Sequence, residues 1–476
     1  MFIGRKQELQ ALEALYARHD YEMVVLYGRR RVGKTALIDE FVRGKPVVYI
    51  SALQQSSKLN LELFSHEVYR CFGIPEGTPG FPDWRSALDY LVDRAKEAKS
   101  GERKPFVFVF DEFPYAAEAN RALPSLLQVA IDHGFKNTPV MIILSGSNQG
   151  FMESEVLGSK SPLFGRRTAQ IRLQPLDYYD AAGFLGDAGS EERVDYYATF
   201  GGTPYYLERI DPKKSYRENV VDLIYSKLGM LGEEPMMLLR EETRDPAIYY
   251  SVLQAIAAGS NTPKLIAEHA GLETSAISNY LKTLMDLGLV ERMVPFGENV
   301  LTSRKSRYAI GDPFFAYWFR FVARKLAVIE SGGGPGLAKS SAFGEVFETY
   351  VGGRFENICR QWLVRQNVAG DLPFPATGFG KWWGNDPQAR EQTDIDVVVA
   401  NDEEQRILLG ECKWRNSFNE VEAIDKLQAR AGLVKGFPIG KTEFLLFSKN
   451  RVSKGTLECY RDDRRMRFVA TDDLYR

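Results

Sequence analysis

A phosphate loop set between a strand and a helix leaves a chain few folds to choose from, and Met23 to Phe41 has that layout. The segment reads MVVLYGRRRVGKTALIDEF, an apolar run followed by GxxxxGK[ST] and an amphipathic stretch. Gly28 and Gly33 let the backbone turn back on itself and aim its N–H groups into one concavity. Lys34 brings a point charge for β- and γ-phosphates, and Thr35 a hydroxyl for Mg²⁺. Bound phosphate then sits at the positive end of the helix that starts near Lys34. Gly28, Arg29, Arg30, Arg31, Val32, Gly33, Lys34, Thr35 and Ala36 are the nucleotide-contacting set. The plain alternative is a tight turn with a nearby lysine. Context argues against it, because Val24, Val25 and Leu26 precede the loop as a buried strand, and Ala36, Leu37, Ile38, Phe41 and Val42 continue at helical spacing.

Such a loop needs a carboxylate for the metal, supplied by a second apolar strand. Phe106 to Phe110 (FVFVF) runs straight into Asp111-Glu112. Asp111 is the expected Mg²⁺ partner, and Glu112 the base that orients an attacking water. A third apolar strand, Val140 to Leu144, ends in Ser145-Gly146-Ser147-Asn148. Ser147 in that polar tip could touch the γ-phosphate, and a solvated strand end explains it equally well.

At 476 residues the chain is too long for one ordinary core, and two to four domains are expected. Lys and Arg total 61 against 63 acids, so a nucleic-acid surface would have to be a local patch. Cys71, Cys359, Cys412 and Cys459 lie far apart with no CxxC, which argues against a disulfide framework or a cysteine zinc site and fits a reducing cytoplasm. The start MFIGRKQEL has no apolar signal core, and no stretch approaches 18 apolar residues, so no membrane partner is expected.

Up to about Asp180, apolar strands (Val24–Tyr27, Val47–Ile50, Phe106–Phe110, Val140–Leu144, Ile171–Leu173) alternate with helical patterns. This predicts an α/β fold with a parallel sheet covered on both faces. A helical lid should follow to about Arg240. Helices over Ile248–Ala257, Pro263–Ala270 and Thr274–Leu287, then strands Leu289–Pro295 and Ser306–Ile310, predict a winged helix-turn-helix. Its third helix would expose Ser275, Ser278, Asn279 and Lys282. The wing carries Arg304, Lys305 and Arg307, which a DNA contact and a solvated loop explain equally well. An aromatic helix (Phe314 to Ile329) leads to Ser331–Gly336 (SGGGPG), read as a linker. The helix Phe343 to Leu363, a Pro- and Gly-rich loop and strands Ile395–Ala400, Ile407–Lys413 and Thr442–Phe447 make a last α/β domain. The expected boundaries are 1–177, 178–244, 245–330 and 331–476.

In this last domain Glu411 and Lys413 share one face of a strand, because the side-chain period is two. Asp396 on the neighbouring strand could share a divalent cation with Glu411, with Lys413 stabilising negative charge and Glu356 as a further ligand. A plain Glu411–Lys413 ion pair is the competing reading. Trp382, Trp383 and Trp414 are expected to pack a loop.

Taken together, these residues resemble the archaeal-type ATPases of the STAND/AAA-like P-loop superfamily that carry a PD-(D/E)XK nuclease-like domain at the carboxyl end. The resemblance runs over FIGRKQEL (Phe2 to Leu9), SPLFGRRT (Ser161 to Thr168), GGTPYYL (Gly201 to Leu207), VGGRFENICRQWL, GKWWG, TDIDVVVA and LLGECKW. It implies ATP and Mg²⁺ as cofactors, a restriction-endonuclease-like last domain, Phe2 to Leu9 beside the adenine, and Arg166 as an arginine finger or γ-phosphate sensor. It also implies that the box around Pro204 couples lid to nucleotide. One departure is Asp394-Ile395-Asp396 where the family has Glu-Ile-Asp. The function so implied is an ATPase acting on DNA, as a single chain or a homo-oligomer, with a metal-dependent nuclease as a further activity. The alternative is a slow ATP-dependent switch whose inactive nuclease-like domain grips a protein.

Overall fold

The computed structural model describes residues 2–75, 77–102 and 104–476, and the chain divides into two compact units. The first comprises residues 1–175 together with Thr203–Tyr205, and the second residues 176–202 and 206–476.

The first unit is built on five parallel strands: β1 (Glu22–Tyr27), β2 (Val47–Ser51), β3 (Val107–Asp111), β4 (Met141–Gly146) and β5 (Ala169–Arg172), in the order β2-β3-β4-β1-β5. Helices cover both faces, so every residue of β1, β3 and β4 is buried. The period of two divides β1 between two cores. Met23, Val25 and Tyr27 join Phe64, Leu88 and Phe110 on one face, while Val24 and Leu26 join Leu12, Leu37 and Phe41 on the other. Parallel strands all end on the same edge, which gathers Gly28, Asp111 and Ser147 there.

The second unit opens with the short helix Tyr178–Ala181, and helices Ser190–Phe200, Tyr216–Val220 and Glu234–Glu242 follow. The winged helix follows as expected: helices Pro246–Ala257, Pro263–Ala270 and Thr274–Asp286, then an antiparallel pair β6 (Val290–Met293) and β7 (Arg307–Ile310). The aromatic helix ends earlier than predicted, at Phe321, and gives way to a 3₁₀ turn and a short helix Leu326–Glu330. The SGGGPG segment is helical from Gly334 and packed: a Cβ on Gly334 would lie 1.8 Å from the Tyr225 carbonyl oxygen. That contact puts it inside the second unit rather than between two bodies.

Helix Glu345–Ala369 lies beside a mixed sheet of β8 (Gly378–Asp386), β9 (Glu391–Asn401), β10 (Arg406–Lys413), β11 (Thr442–Ser448) and β12 (Met466–Ala470), in the order β12-β11-β10-β9-β8. β9 is antiparallel to both neighbours, and β10, β11 and β12 run parallel. Two of these strands escaped the sequence reading. The glycines of GFGKWWG disguise β8, and the basic run around β12 hides its short apolar core. No helix among the described residues is long and apolar enough to cross a membrane.

Candidate functional site

The loop after β1 closes as a cradle whose arginine side chains are engaged by residues outside it. Gly33 adopts φ 91°, a conformation that favours glycine, and a Cβ on Gly28 would come within 2.4 Å of the Leu173 carbonyl oxygen. Arg29 donates to the Thr203 hydroxyl at 2.8 Å, Arg30 to the Tyr115 hydroxyl at 2.5 Å, and the Arg31 guanidinium lies 5.0 Å from the centre of the Tyr205 ring. The three arginines therefore offer a ligand their backbone, while Val32 is fully buried as an anchor. Lys34 is also buried and donates to the carbonyls of Gly28 at 2.9 Å and Arg29 at 3.2 Å. Thr35 and Ala36 are exposed on the first turn of helix Lys34–Val42. The Pro204 ring is the nearest neighbour to where a Gly33 Cβ would stand, at 3.5 Å. Arg5, within the FIGRKQEL motif, was not singled out from the sequence. It is buried and clamps the loop, donating to the carbonyls of Val32 at 3.0 Å and Gln174 at 2.5 Å.

The Thr35 hydroxyl donates to the Asp111 carboxylate at 3.1 Å, and Tyr49 donates to the same oxygen at 3.3 Å. Burial and the Asp111 charge push the Tyr49 hydroxyl well up, and burial with Asp111 also raises Asp39. A hydroxyl and a carboxylate are hard oxygen donors in a locally negative setting, and that donor set fits Mg²⁺. Glu112 follows with φ 49°, unusual for a residue with a side chain. Its carboxylate accepts from the Ser147 N–H at 3.2 Å and the Ser147 hydroxyl at 2.8 Å. The tip of β4 is thus committed to the glutamate, and Asn148 caps the turn that follows by accepting from the Phe151 N–H.

For Arg166 the reading as a sensor of its own chain's phosphate is corrected. It forms a two-pronged pair with Asp132, at 3.0 and 2.6 Å, and donates to the carbonyls of Pro162 and Phe164 at 2.9 Å. Its own carbonyl accepts from Tyr21, and Thr168 bonds Met23, so it sits at the amino end of β1, whereas Gly28 follows the carboxyl end. Six strand residues, roughly 20 Å, separate the two ends. Arg166 cannot reach a phosphate held by its own chain.

The acids of the second unit come together, but around basic side chains. Lys381 on β8 donates to Glu356 at 2.8 Å and lies 2.9 Å from Asp394 and 3.3 Å from Asp396. Glu411 pairs with Lys413 at 2.5 Å and with Arg430 at 3.3 Å, and Asp396 accepts from the Cys412 N–H at 2.9 Å. Burial, with Asp396 alongside, raises Glu356 to about 7, and burial followed by Asp396 also raises Glu411. Burial alone would pull Lys381 down, but Glu356 and Asp396 push it up. Of the two readings of Glu411 and Lys413, the ion pair is the one formed. Asp396, Glu411 and Glu356, expected to share a cation, are each engaged by a basic side chain, and among the described residues no group of three or more His, Cys, Asp or Glu is arranged to hold a metal. Lys381 and Arg430 were missed because their partners lie 13 to 36 positions away along the chain.

On the winged helix, Ser275, Ser278, Asn279 and Lys282 are all exposed on helix Thr274–Asp286. The wing's Lys305 pairs with Glu298 at 2.6 Å.

Comparison with known proteins finds similarities along most of the chain. Residues 2–210 match the family described as an ATPase domain predominantly from Archaea, residues 250–293 an IclR helix-turn-helix domain, and residues 318–424 archaeal and bacterial proteins of unknown function. An uncharacterized protein of Methanocaldococcus jannaschii is 29% identical over 461 residues, covering 96% of this chain and 98% of that one. An uncharacterized ATP-binding protein of the same organism is 47% identical over 47 residues, covering 10% of this chain and 80% of that one. Among solved structures, a Walker-type ATPase of Pyrococcus abyssi is 21% identical with a TM-score of 0.49, covering 67% of this chain and 96% of that one. Over residues 2–210, then, this chain is similar to an ATPase domain found predominantly in Archaea.

Proposed function

We propose that this chain is a Mg²⁺-dependent ATPase that couples its nucleotide state to DNA. The meeting of Thr35 with Asp111, 76 positions apart yet 3.1 Å from each other beside Lys34, carries the reading. Lys34 exchanges the Gly28 and Arg29 carbonyls for phosphate oxygens, and the backbone N–H groups of residues 29–36 hold the rest of the triphosphate. A Mg²⁺ on Thr35 and Asp111 would supply neutralising charge to those phosphates. Glu112, oriented by Ser147, takes the proton of the attacking water. Pro204 against Gly33 is the natural link by which loop closure is felt further along the chain.

The exposed polar face of helix Thr274–Asp286 and its match to an IclR helix-turn-helix domain support duplex DNA as the partner. We read the carboxyl-terminal sheet as restriction-endonuclease-like in fold and without cutting activity. The saturation of its acids by Lys381, Lys413 and Arg430 also favours a second reading, a slow nucleotide switch that uses this domain to grip a protein.

Phosphate release with Mg²⁺, measured with and without duplex DNA, separates the two. The first reading expects stimulation by DNA, loss of turnover in Lys34→Ala, and loss of stimulation alone in Lys282→Glu. Turnover indifferent to DNA favours the switch. Failure of the folded wild type to bind ATP in calorimetry removes both.

A further inference from the structure

We propose that the second unit holds a binding groove for single-stranded nucleic acid, lined by four arginines and running along helix Glu345–Ala369. Two adjoining cavities, of about 680 and 250 Å³, share Met293, Arg307, Ala309, Gly353 and Arg354 as common walls. Val346, Thr349, Gly353, Glu356 and Arg360 border them at helical spacing, so the groove follows one face of the helix for about 21 Å. The wing strands form the facing wall.

The charge of this groove departs from that of the chain. The larger cavity is bordered by Arg307, Arg320 and Arg354 and by no carboxylate, and Arg360 joins them in the smaller one. Several other arginines of the unit are paired, as Arg365 is with Asp177, Arg406 with Glu443 and Arg451 with Asp473. Among the described residues, none of the four groove arginines has a carboxylate within ion-pair distance. Arg354 donates to the Ile310 carbonyl at 3.0 Å, and Arg307 lies 5.0 Å from the centre of the Trp383 ring. In a chain with net charge −2, a larger cavity bordered by three arginines and no carboxylate, with a fourth arginine beyond it, is a local anion site.

The helix is built for close approach. Gly352 and Gly353 stand in its interior although glycine is the poorest helix former after proline. A Cβ on Gly353 would meet nothing within 4 Å, so the residue leaves the helix backbone open to the groove. Guanidinium groups spaced along a track, with Tyr308 and Trp383 as flat faces beside them, suit a phosphodiester strand whose bases can stack. The narrow end closes on Glu291 and on Glu356 and Asp394, whose charges Lys381 already partners, so no free cation awaits a phosphate from that lysine. This site lies apart from the third helix of the winged domain and needs no ATP turnover, so it can stand or fall independently of the function proposed above.

The test is fluorescence anisotropy of the full-length protein with a labelled thymidine oligodeoxynucleotide of about 12 residues, a uridine oligoribonucleotide of the same length, and a duplex of that length. Single strands should bind, with the logarithm of affinity falling against the logarithm of salt at a slope of about −3, close to 0.7 per phosphate contact. A preference for the DNA or the RNA strand identifies the natural source. Gly353→Glu, which places a carboxylate in open space, and Arg320→Glu, at an exposed position, should each weaken strand binding at least about tenfold and flatten the slope. Lys99→Glu, at an exposed position in neither proposed site, should leave strand binding intact. The proposal is overturned if neither strand binds at low salt, if the duplex binds as tightly as the strands, if both groove variants bind like wild type, or if polyglutamate displaces the strand equally well.

Discussion

The Ser147 hydroxyl holds the Glu112 carboxylate at 2.8 Å, and the Ser147 N–H grips the same oxygen. A strand tip that was a candidate for the γ-phosphate is therefore also the support of the base. Ser147→Ala should lower kcat for ATP about tenfold with little change in KM, whereas Glu112→Gln should lower kcat by about 10² to 10⁴. Steady-state phosphate release across ATP concentrations checks both. A rise in KM with unchanged kcat in Ser147→Ala would mean that the serine binds substrate instead.

Arg166 is bound to Asp132 at the far end of β1 from the phosphate loop. Arg166→Ala should leave ATP turnover per chain unchanged over a range of protein concentration. It should lower stability by about 1 kcal/mol, read from the denaturant midpoint, because the pair is partly solvated. Turnover that rises with protein concentration in wild type and collapses in the variant would show instead that Arg166 serves a neighbouring chain.

Arg5 joins the Val32 carbonyl to that of Gln174. Arg5→Ala unpins the loop without removing any group that touches phosphate. Nucleotide affinity should fall about tenfold, roughly 1.4 kcal/mol, by isothermal calorimetry. Arg5→Lys should recover little of it, since one ammonium does not reproduce both the Nη2 bonds to the two carbonyls and the Nη1 pair with Glu8 at 3.3 Å.

Asp195 in the second unit is raised from 3.8 to about 8, by burial first and by Glu348 next, with Lys449 opposing, and its Oδ1 is buried with no hydrogen-bond partner. The folded state therefore holds a proton that the unfolded chain releases, and stability falls as pH rises from about 4 to about 8. Asp195→Asn removes this slope. The gain in melting temperature should grow across that range to a few degrees at pH 8.5. Parallel pH profiles for variant and wild type would contradict the burial of the carboxyl.

Much of this was legible in the chain because it is local. The phosphate loop, the Val24–Leu26 run before it and the acid pair after Phe110 each lie within a few neighbouring positions, and the parallel sheet follows from their alternation with helices. The third helix of the winged domain was equally readable, since Gly271 and Gly288 punctuate it. What could not be read was the fate of charges. Arg166 looked like a phosphate sensor until Asp132, 34 positions away, took both its prongs, and Lys381 hid in a segment that glycines disguised as loop. Local backbone preference and side-chain period are properties of short windows of sequence. Which cation meets which acid is decided by strand order and burial, across tens of residues, and only the folded chain sets that.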